Sequence, residues 1–460
     1  MDKTFHIVTF GCQMNAGDSD WLARALVSRG WRQAPEEDAW LFVVNTCSVR
    51  DKPEQKVYSE LGRLDQHRRG KPGLTAAVGG CVAQQIGPGF FERFPFVRLV
   101  FGSDGIAQAP DALDHLAEHP LERMTLLDFL PHYPEREDAP ALPETGLDLG
   151  PDENPAQAFV NIMQGCDNFC AYCIVPYTRG RQKSRQPAAV LAECRARVEQ
   201  GARELTLLGQ NVNSYGQDLA GGSTGFAELL RQVAAIPGLL RLRFTTSHPK
   251  DIDPAVIRAF GELENLCPTL HLPMQAGSDA VLRRMGRKYD RERYLGIVAA
   301  LRQARPDISL TTDLIVGFPG ETEEDFVQTL EMVERVGFES SFSFRYSDRP
   351  GVAAVRMRPK VPDEVGQERL LRLQSLQNSI TKESLKALEG LETDVLLEAL
   401  SRRQDGGEPF WRGRDAGGRV VNVRIPAELA GEPLCGRMLR VRILEAKNHS
   451  LLGEKVGRPW

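Results

Sequence analysis

Gln164-Gly165-Cys166-Asp167-Asn168-Phe169-Cys170-Ala171-Tyr172-Cys173-Ile174-Val175-Pro176 is the stretch from which the rest of the chain can be read. It sets three cysteines in a C-x3-C-x2-C array, directly after a strand-like run over 158–163. Thiolates are the usual protein ligands of iron–sulfur clusters, and three on one short loop can hold a metal centre. The number three is informative. A four-iron cluster with three protein ligands keeps one iron open, whereas structural zinc is closed by four ligands. The following Val175-Pro176-Tyr177-Thr178-Arg179 offers no further Cys or His.

This spacing resembles the radical S-adenosylmethionine (SAM) superfamily. The resemblance implies that the open iron chelates the amino and carboxylate groups of SAM. It also implies that the aromatic before the third cysteine, Tyr172, lies near the adenine.

A chain of 460 residues exceeds one ordinary hydrophobic core, and its 42% hydrophobic and 26% charged content is that of a soluble globular protein. No apolar run approaches the ~20 residues of a membrane span. Met1-Asp2-Lys3-Thr4-Phe5-His6 lacks an export-signal pattern, so the nine cysteines are expected to be reduced thiols and metal ligands in a cytoplasmic protein. The net charge of −5 argues against a nucleic-acid partner only until it is located. Residues 131–157 hold seven acidic side chains against one basic. The remainder is near neutral and permits RNA.

Upstream, strands are expected over 4–10, 39–45, 74–78 and 97–101, with helices over 19–28, 52–69 and 104–118. Such alternation implies a parallel sheet with helices on its faces. Ligands bind such sheets beyond the carboxyl ends of the strands. Cys12, Cys47 and Cys81 each follow a different strand, one βα unit apart, and are expected to converge on one sheet edge as a second three-thiolate site. Gly11, Gly79 and Gly80 would let backbone approach a bulky ligand. The alternatives are three unrelated buried thiols or a phosphate loop at Gly79-Gly80, which lacks its Gly-Lys-Ser/Thr. Prolines at 131, 134, 140, 143, 151 and 155 then mark a linker.

Six strands are expected over 158–163, 204–209, 240–245, 269–273, 309–316 and 340–346. Helices fill the gaps over 187–200, 226–235, 254–264, 290–302 and 323–336. The radical SAM resemblance favours an incomplete six-unit barrel, with functional residues on the loops after the strands. Candidates are Gln210-Asn211-Val212-Asn213, Thr246-Ser247-His248, Gln275-Ala276-Gly277-Ser278 and Gly317-Phe318-Pro319-Gly320-Glu321. Plainer readings stand beside them: helix caps for Gln210, Asn211 and Asn213, a turn residue for His248, a helix-dipole acid for Glu321. Gln275 and Arg287 are the expected SAM contacts, the guanidinium suiting a carboxylate. Cys194, Cys267 and Cys435 have no partner at ligand spacing and read as ordinary thiols.

A helix over 367–388 leads to short strands over 393–398, 410–412, 420–424, 438–444 and 450–454, the spacing of a small β-barrel. Arg402, Arg403, Arg412, Arg414 and Arg424 interleave with Phe410 and Trp411. Cations with stacking aromatics suit RNA, and Arg402, Arg403 and Arg412 are the candidate contacts. A solvated barrel surface is the alternative.

Taken whole, the chain resembles the radical SAM methylthiotransferases, with a terminal barrel similar to a TRAM domain. The resemblance rests on Phe10-Gly11-Cys12-Gln13-Met14-Asn15, Asn45-Thr46-Cys47-Ser48-Val49-Arg50, Leu208-Gly209-Gln210-Asn211-Val212-Asn213 and Phe244-Thr245-Thr246-Ser247-His248-Pro249, which look most like the tRNA branch. It implies an N-terminal domain over 1–130, the linker over 131–157, a radical SAM core over 158–385 and an RNA-binding barrel over 386–460. It also implies two [4Fe–4S] clusters, with SAM as methyl donor and radical source. The cluster on Cys166, Cys170 and Cys173 would cleave SAM to a radical that takes hydrogen from C2 of a dimethylallylated adenosine beside the tRNA anticodon. The cluster on Cys12, Cys47 and Cys81 would carry the sulfur. A flavodoxin-type electron donor is implied as a partner, and no membrane. Three other readings remain at this point: a methylthiotransferase acting on a ribosomal-protein aspartate, one acting on N6-threonylcarbamoyladenosine in tRNA, and a non-catalytic iron–sulfur electron carrier.

Overall fold

The computed structural model describes residues 3–48, 53–68, 73–134, 156–219, 224–401, 410–425 and 434–460. Its first part runs β1 (Thr4–Phe10), α1 (Gln13–Ser28), β2 (Arg32–Gln33), β3 (Leu41–Thr46), α2 (Pro53–Arg68), β4 (Thr75–Gly80), α3 (Cys81–Ile86), α4 (Gly89–Arg93), β5 (Val97–Phe101), α5 (Ala109–Glu118) and β6 (Met124–Leu126). The strands form one parallel sheet in the order β2-β1-β3-β4-β5-β6. Successive side chains of a strand point to opposite faces. Leu41 and Val43 therefore join Phe5, Leu22 and Leu26 on one face, while Phe42 and Val44 join Leu61 and Phe96 on the other. The strand order switches between β1 and β3, where open parallel sheets bind ligands.

Two boundaries differ from expectation for physical reasons. α1 starts at Gln13, well before 19. Asn15, Asp18 and Ser19 are polar, yet all three are buried. Regular helix before 118 starts only at Ala109, after a 3-10 turn at Gly105–Gln108, with Pro110 in the first turn where a missing N–H costs little. β2 and β6 are too short to show a pattern. Residues 135–155 of the expected linker lie outside the described residues.

The second part runs β7 (Gln157–Asn161), β8 (Met163–Gln164), α6 (Val175–Thr178), β9 (Lys183–Ser184), α7 (Pro187–Glu199), β10 (Glu204–Leu208), α8 (Phe226–Ala234), β11 (Arg241–Thr245), α9 (Pro254–Glu262), β12 (Thr269–His271), α10 (Asp279–Arg284), α11 (Arg291–Ala304), β13 (Ser309–Val316), α12 (Glu323–Val336), β14 (Ser340–Arg345) and α13 (Asp363–Lys386). β7, β10 and β11 pair in parallel, as do β12, β13 and β14. Leu242 N–H donates to Asn265 O at 2.7 Å and Cys267 N–H to Leu242 O at 2.9 Å, stitching the two halves into one six-strand arc. This is the incomplete six-unit barrel, filled by one apolar core from Val160 to Leu373. Asp253, Ser278, Asp290 and Thr322 cap α9 to α12 with their side chains, so each helix starts where its cap dictates. The expected strand over 158–163 is interrupted. β8 leaves the arc and pairs antiparallel with β9, closing the cysteine loop between them.

The third part is a closed five-stranded, TRAM-like barrel of β15 (Glu392–Leu400), β16 (Phe410–Arg414), β17 (Val420–Arg424), β18 (Met438–Ala446) and β19 (Leu451–Lys455). Val395, Leu397, Val421, Val423, Leu439 and Val441 fill it. The core grips it by main chain. Arg241 donates to the carbonyls of Arg414 (2.7 Å) and Asp394 (2.6 Å), and Arg243 to those of Ala416 and Asp415 (2.9 Å each).

The first sheet docks on the core through a buried ion pair. Lys183 on β9 is 3% exposed and pairs with Asp104, 1% exposed, which also accepts from Gln164 and from the Leu130 N–H. Removing one partner of a buried pair strands the other charge, at about 3–5 kcal/mol, whereas replacing both by apolar groups is often neutral. Lys183→Met is therefore expected to bring the first urea transition to clearly lower concentration. Adding Asp104→Asn, which removes the stranded charge and keeps an amide oxygen as acceptor, should recover part of the loss. Equal damage from single and double variants would show that the pair does not hold the seam.

Candidate active site

The first thiol triad is set by strand ends. Cys12 lies two residues past β1 and is the N-cap of α1, Cys47 follows β3, and Cys81 follows β4 as the first residue of α3. The loops are tied by paired amides across the switch point. Asn15 Nδ2 donates to Asn45 Oδ1 and to Thr46 O, each at 3.0 Å. Asn45 Nδ2 donates in return to Asn15 O and Ser19 Oγ, each at 3.0 Å. Cys12 Sγ then donates to Asn15 Oδ1 at 3.2 Å. Glycine is required for the approach: at Gly80, φ is +90°, and a Cβ would stand 2.3 Å from Thr46 O. Cys47 and Cys81 are 2% and 1% exposed. The Cys12 thiol is brought down to about 5 by its hydrogen bond with Cys47, against burial and helped by the Arg179 charge.

Arg179 comes from the core, immediately after α6. Its Nε donates to Cys81 Sγ at 3.3 Å. Sequence reasoning misses it because an Arg is no metal ligand, and its partner lies 98 residues away. Gln210, a candidate whose plainer reading is a helix cap, is a bridge. Its Oε1 accepts from Gly165 N–H, 2.6 Å, and its Nε2 donates to Met14 Sδ. One side chain thus ties the residue before Cys166 to the residue two past Cys12.

The second triad occupies the loop closed by β8 and β9. Cys173 N–H donates to Cys170 O (3.0 Å), and Ala171 is bonded through its N–H to Met285 O and through its carbonyl to Ala354 N–H (2.8 Å each). Burial pushes Cys166 up and Cys173 to about 12. A thiol so placed gives up its proton only beside a strongly electropositive partner such as iron. Among the described residues, no three His, Cys, Asp or Glu side chains are gathered as for a single metal ion. A cluster, whose thiolates bind separate irons, does not ask for that.

The other candidates have defined positions. Arg287, 7% exposed, donates to Tyr289 Oη (3.0 Å), Pro273 O (3.1 Å), Cys170 Sγ and Tyr172 Oη (3.4 Å each). It buttresses the cysteine loop with four of its five N–H donors. Tyr172 is half-buried, edge-on to Phe318. Gln275 stands at φ +71°, its backbone bonded to Asp313 O and Ile315 N–H of β13. His248 Nδ1 accepts from Lys250 N–H, which puts the ring proton on Nε2, 3.9 Å from Cys170 Sγ. Burial first, then the Arg287 charge, holds His248 down at about 2, so it is a neutral donor beside the thiol. Asn211 bonds Asp251, which also accepts from Asn168 in the cysteine loop. Asn211 stands at the N-cap of a 3-10 turn, Val212–Ser214, but its side chain makes no capping bond, and Asn213 lies inside that turn. Asn211 Oδ1, both amide atoms of Asn213 and Ser247 Oγ are buried without a hydrogen-bond partner among the described residues, and a polar ligand would satisfy such atoms. Glu321 is no dipole acid. It accepts from Gly317 N–H (2.6 Å) and Arg369 (2.8 Å), and burial pushes it up to about 7. Thr322 and Asp325 cap the helix that follows.

In the barrel, Phe410 and Trp411 are 2% and 9% exposed and offer no free faces for bases. Arg412 Nε lies 3.6 Å from Glu398, which Gln157 of β7 also bonds. Arg402 and Arg403 lie outside the described residues. Cys194 is buried in α7, Cys267 beside Arg243 just before β12, and Cys435 bonds Glu398 O in the barrel, all away from both triads.

An open six-strand (β/α) arc with a three-cysteine loop after its first strand defines a radical SAM protein. The Radical SAM superfamily description matches residues 160–333, and that of the Uncharacterized protein family UPF0004 matches residues 4–102. The chain is 60% identical over 459 residues to the tRNA-2-methylthio-N(6)-dimethylallyladenosine synthase of Nitratidesulfovibrio vulgaris Hildenborough, covering 100% of both. It is 55% identical to that of Oleidesulfovibrio alaskensis, covering 99% of each, and 50% to that of Lawsonia intracellularis, again 99% of each. The chain belongs to the family of these synthases. Its fold is also similar to the radical SAM methyltransferase TsrM from Kitasatospora setae with tryptophan and aza-SAM bound (TM-score 0.56, 14% identity, 88% of this chain and 79% of that one). Radical SAM membership brings a [4Fe–4S] cluster and SAM, and the loop's three thiols and the unpartnered polar atoms beside it fit them. No helix among the described residues is long and apolar enough to cross a membrane.

Gly80→Ala tests the first triad's geometry. Left-handed strain and the clash with Thr46 O are expected to cost about 1–3 kcal/mol, read as earlier melting of the full chain. An unchanged melting point would show that the Cys81 loop can relax.

Proposed function

We propose that this protein methylthiolates C2 of N6-dimethylallyladenosine next to the tRNA anticodon, using one [4Fe–4S] cluster on Cys166, Cys170 and Cys173 and a second on Cys12, Cys47 and Cys81. One observation carries the reading: two three-thiol sites, each at the carboxyl edge of its own parallel sheet, are tied into one seam by Gln210 and Arg179. When bound, the clusters and SAM supply hydrogen abstraction from an unactivated aromatic C–H, the inserted sulfur and the methyl group, chemistry that belongs to the cofactors. That C–H has no useful acidity, so a general base would gain nothing, and neutral His248 offers none. The chain's residues hold and shield. Arg287, Tyr289 and Ala171 fix the SAM loop, the Asn15–Asn45 pair fixes the other, and Cys47, Cys81 and Cys170 are buried away from water. Gln275, Tyr172 and the unpartnered Asn213 and Ser247 line the space proposed for SAM. A flavodoxin-type donor supplies the electron in the cytoplasm.

The proposed units follow the three packed cores, with residues 131–157 as the connection. An electron carrier would want fully ligated clusters, and neither triad has a fourth cysteine nearby. An aspartate on a ribosomal protein or N6-threonylcarbamoyladenosine as substrate would leave the dimethylallyl nucleoside untouched. Mass spectrometry of tRNA nucleosides decides: a deletion strain is expected to accumulate dimethylallyladenosine without the 2-methylthio group, and an unchanged nucleoside profile would sink the reading.

Cysteine replacements separate the loops. Changing Cys12, Cys47 and Cys81 to Ala should leave roughly half the iron of two four-iron clusters, with SAM cleavage to deoxyadenosine retained and no methylthio product. Changing Cys166, Cys170 and Cys173 to Ala should abolish both activities at a similar iron content. Loss of all iron in either variant would count against two independent sites.

For tRNA, Arg402→Ala with Arg403→Ala is expected to weaken binding and to flatten its salt dependence by about one logarithmic unit for each phosphate no longer neutralised. Arg412→Ala should do less, because Glu398 already holds that side chain. Unchanged affinity in all three would make the barrel a cap rather than a grip.

A further inference from the structure

Arg179 is built into the core yet buried in the first sheet's thiol site. It is 3% exposed, with Nε on Cys81 Sγ at 3.3 Å and Nη2 3.8 Å from Asp18 Oδ2. Nη1 and Nη2 are fully buried, and no hydrogen-bond acceptor meets either among the described residues. A guanidinium has five N–H donors and does not deprotonate in proteins. A buried charge with most of its donors unmet is costly. These donors therefore point to an anion beyond Asp18, at the place where three thiolates converge.

We propose that Arg179 is a positioning residue for the N-terminal cluster, serving as its buried counter-charge and as hydrogen-bond donor to its sulfurs. The inference rests on the two-cluster reading above. Thiolates and inorganic sulfides make an anionic body, and net charge, hydrogen bonds to sulfur and solvent exposure set its reduction potential. A cation donating to a ligand sulfur favours the more negative, reduced state and raises the potential. Asp18, 3.8 Å from Nη2, tempers that charge. Because Arg179 arrives from the other sheet, the site is electrically complete only when the sheets are docked. Arg197–Asp20 (3.2 Å) and Ser103 Oγ–Thr178 O (3.2 Å) hold that docking on either side.

The test uses the full chain with Cys166, Cys170 and Cys173 changed to Ala, reconstituted anaerobically with iron and sulfide. Every cluster signal then comes from the N-terminal triad. Arg179→Met should shift the midpoint potential negative and alter the electron paramagnetic resonance of the reduced cluster. Asp18→Asn should shift the potential positive, and Arg179→Lys should fall between Arg179→Met and the parent. A purely structural role would lower iron content or melting temperature without moving the potential in opposite directions. An Arg179→Met protein with the parent's potential and spectrum would overturn the proposal. If that variant fails to retain iron, Asp18→Asn and Arg179→Lys decide, and a potential unmoved in both overturns it. If the parent itself binds no cluster, iron analysis shows that the two-cluster reading has failed, which is a separate result.

Discussion

Asn15 and Asn45 bond to each other's side chain and to the opposite backbone across the point where the first sheet's strand order switches. Their amides decide whether three strand ends become one site. Parallel register brings β1, β3 and β4 to a common edge, but it leaves the loops beyond them free to splay. Four buried hydrogen bonds, each near 3.0 Å, remove that freedom. They also explain why α1 begins right after Cys12: the polar residues of its first turns are satisfied inside the fold rather than by water.

The second requirement is that the core reach into the first sheet. It does so with charges. Lys183 finds Asp104, and Arg179 finds Cys81 and Asp18. A buried charge costs several kcal/mol unless it is paired in good geometry, so neither side chain tolerates a loosely docked sheet. Polar seams of this kind specify one arrangement where an apolar seam could slide. The cysteine loop, framed by β8 and β9, carries Arg179 and ends at Lys183, so both contacts belong to the segment that holds the thiols.

Much of this is legible in the sequence, for reasons that particular residues show. Leu41-Phe42-Val43-Val44 reads as a strand buried on both faces because every residue is apolar. Cysteines at C-x3-C-x2-C spacing, and one after each of three strands, carry their chemistry in residue type alone. The start of α1 is hidden because the polar residues before 19 are buried by partners distant in sequence, as Asn15 is by Asn45 and Thr46. Arg179 and Lys183 are hidden because their partners lie 98 and 79 residues away. Phe410 and Trp411 mislead differently: aromatics among arginines suggest a stacking surface, but alternation along β16 does not reveal which face of a small barrel is inside. Gln210 stands in a candidate loop, and only the fold shows that it spans two loops.

Two guanidinium forks of the core, from Arg241 and Arg243, reach the terminal barrel, and all four of their hydrogen bonds go to main-chain carbonyls. Such a grip reads the path of the chain and ignores which side chains decorate it. Sequence drift at positions 394 and 414–416 therefore leaves these bonds untouched as long as the strands keep their course. The barrel's outward side chains can change while these four bonds hold it in the same socket.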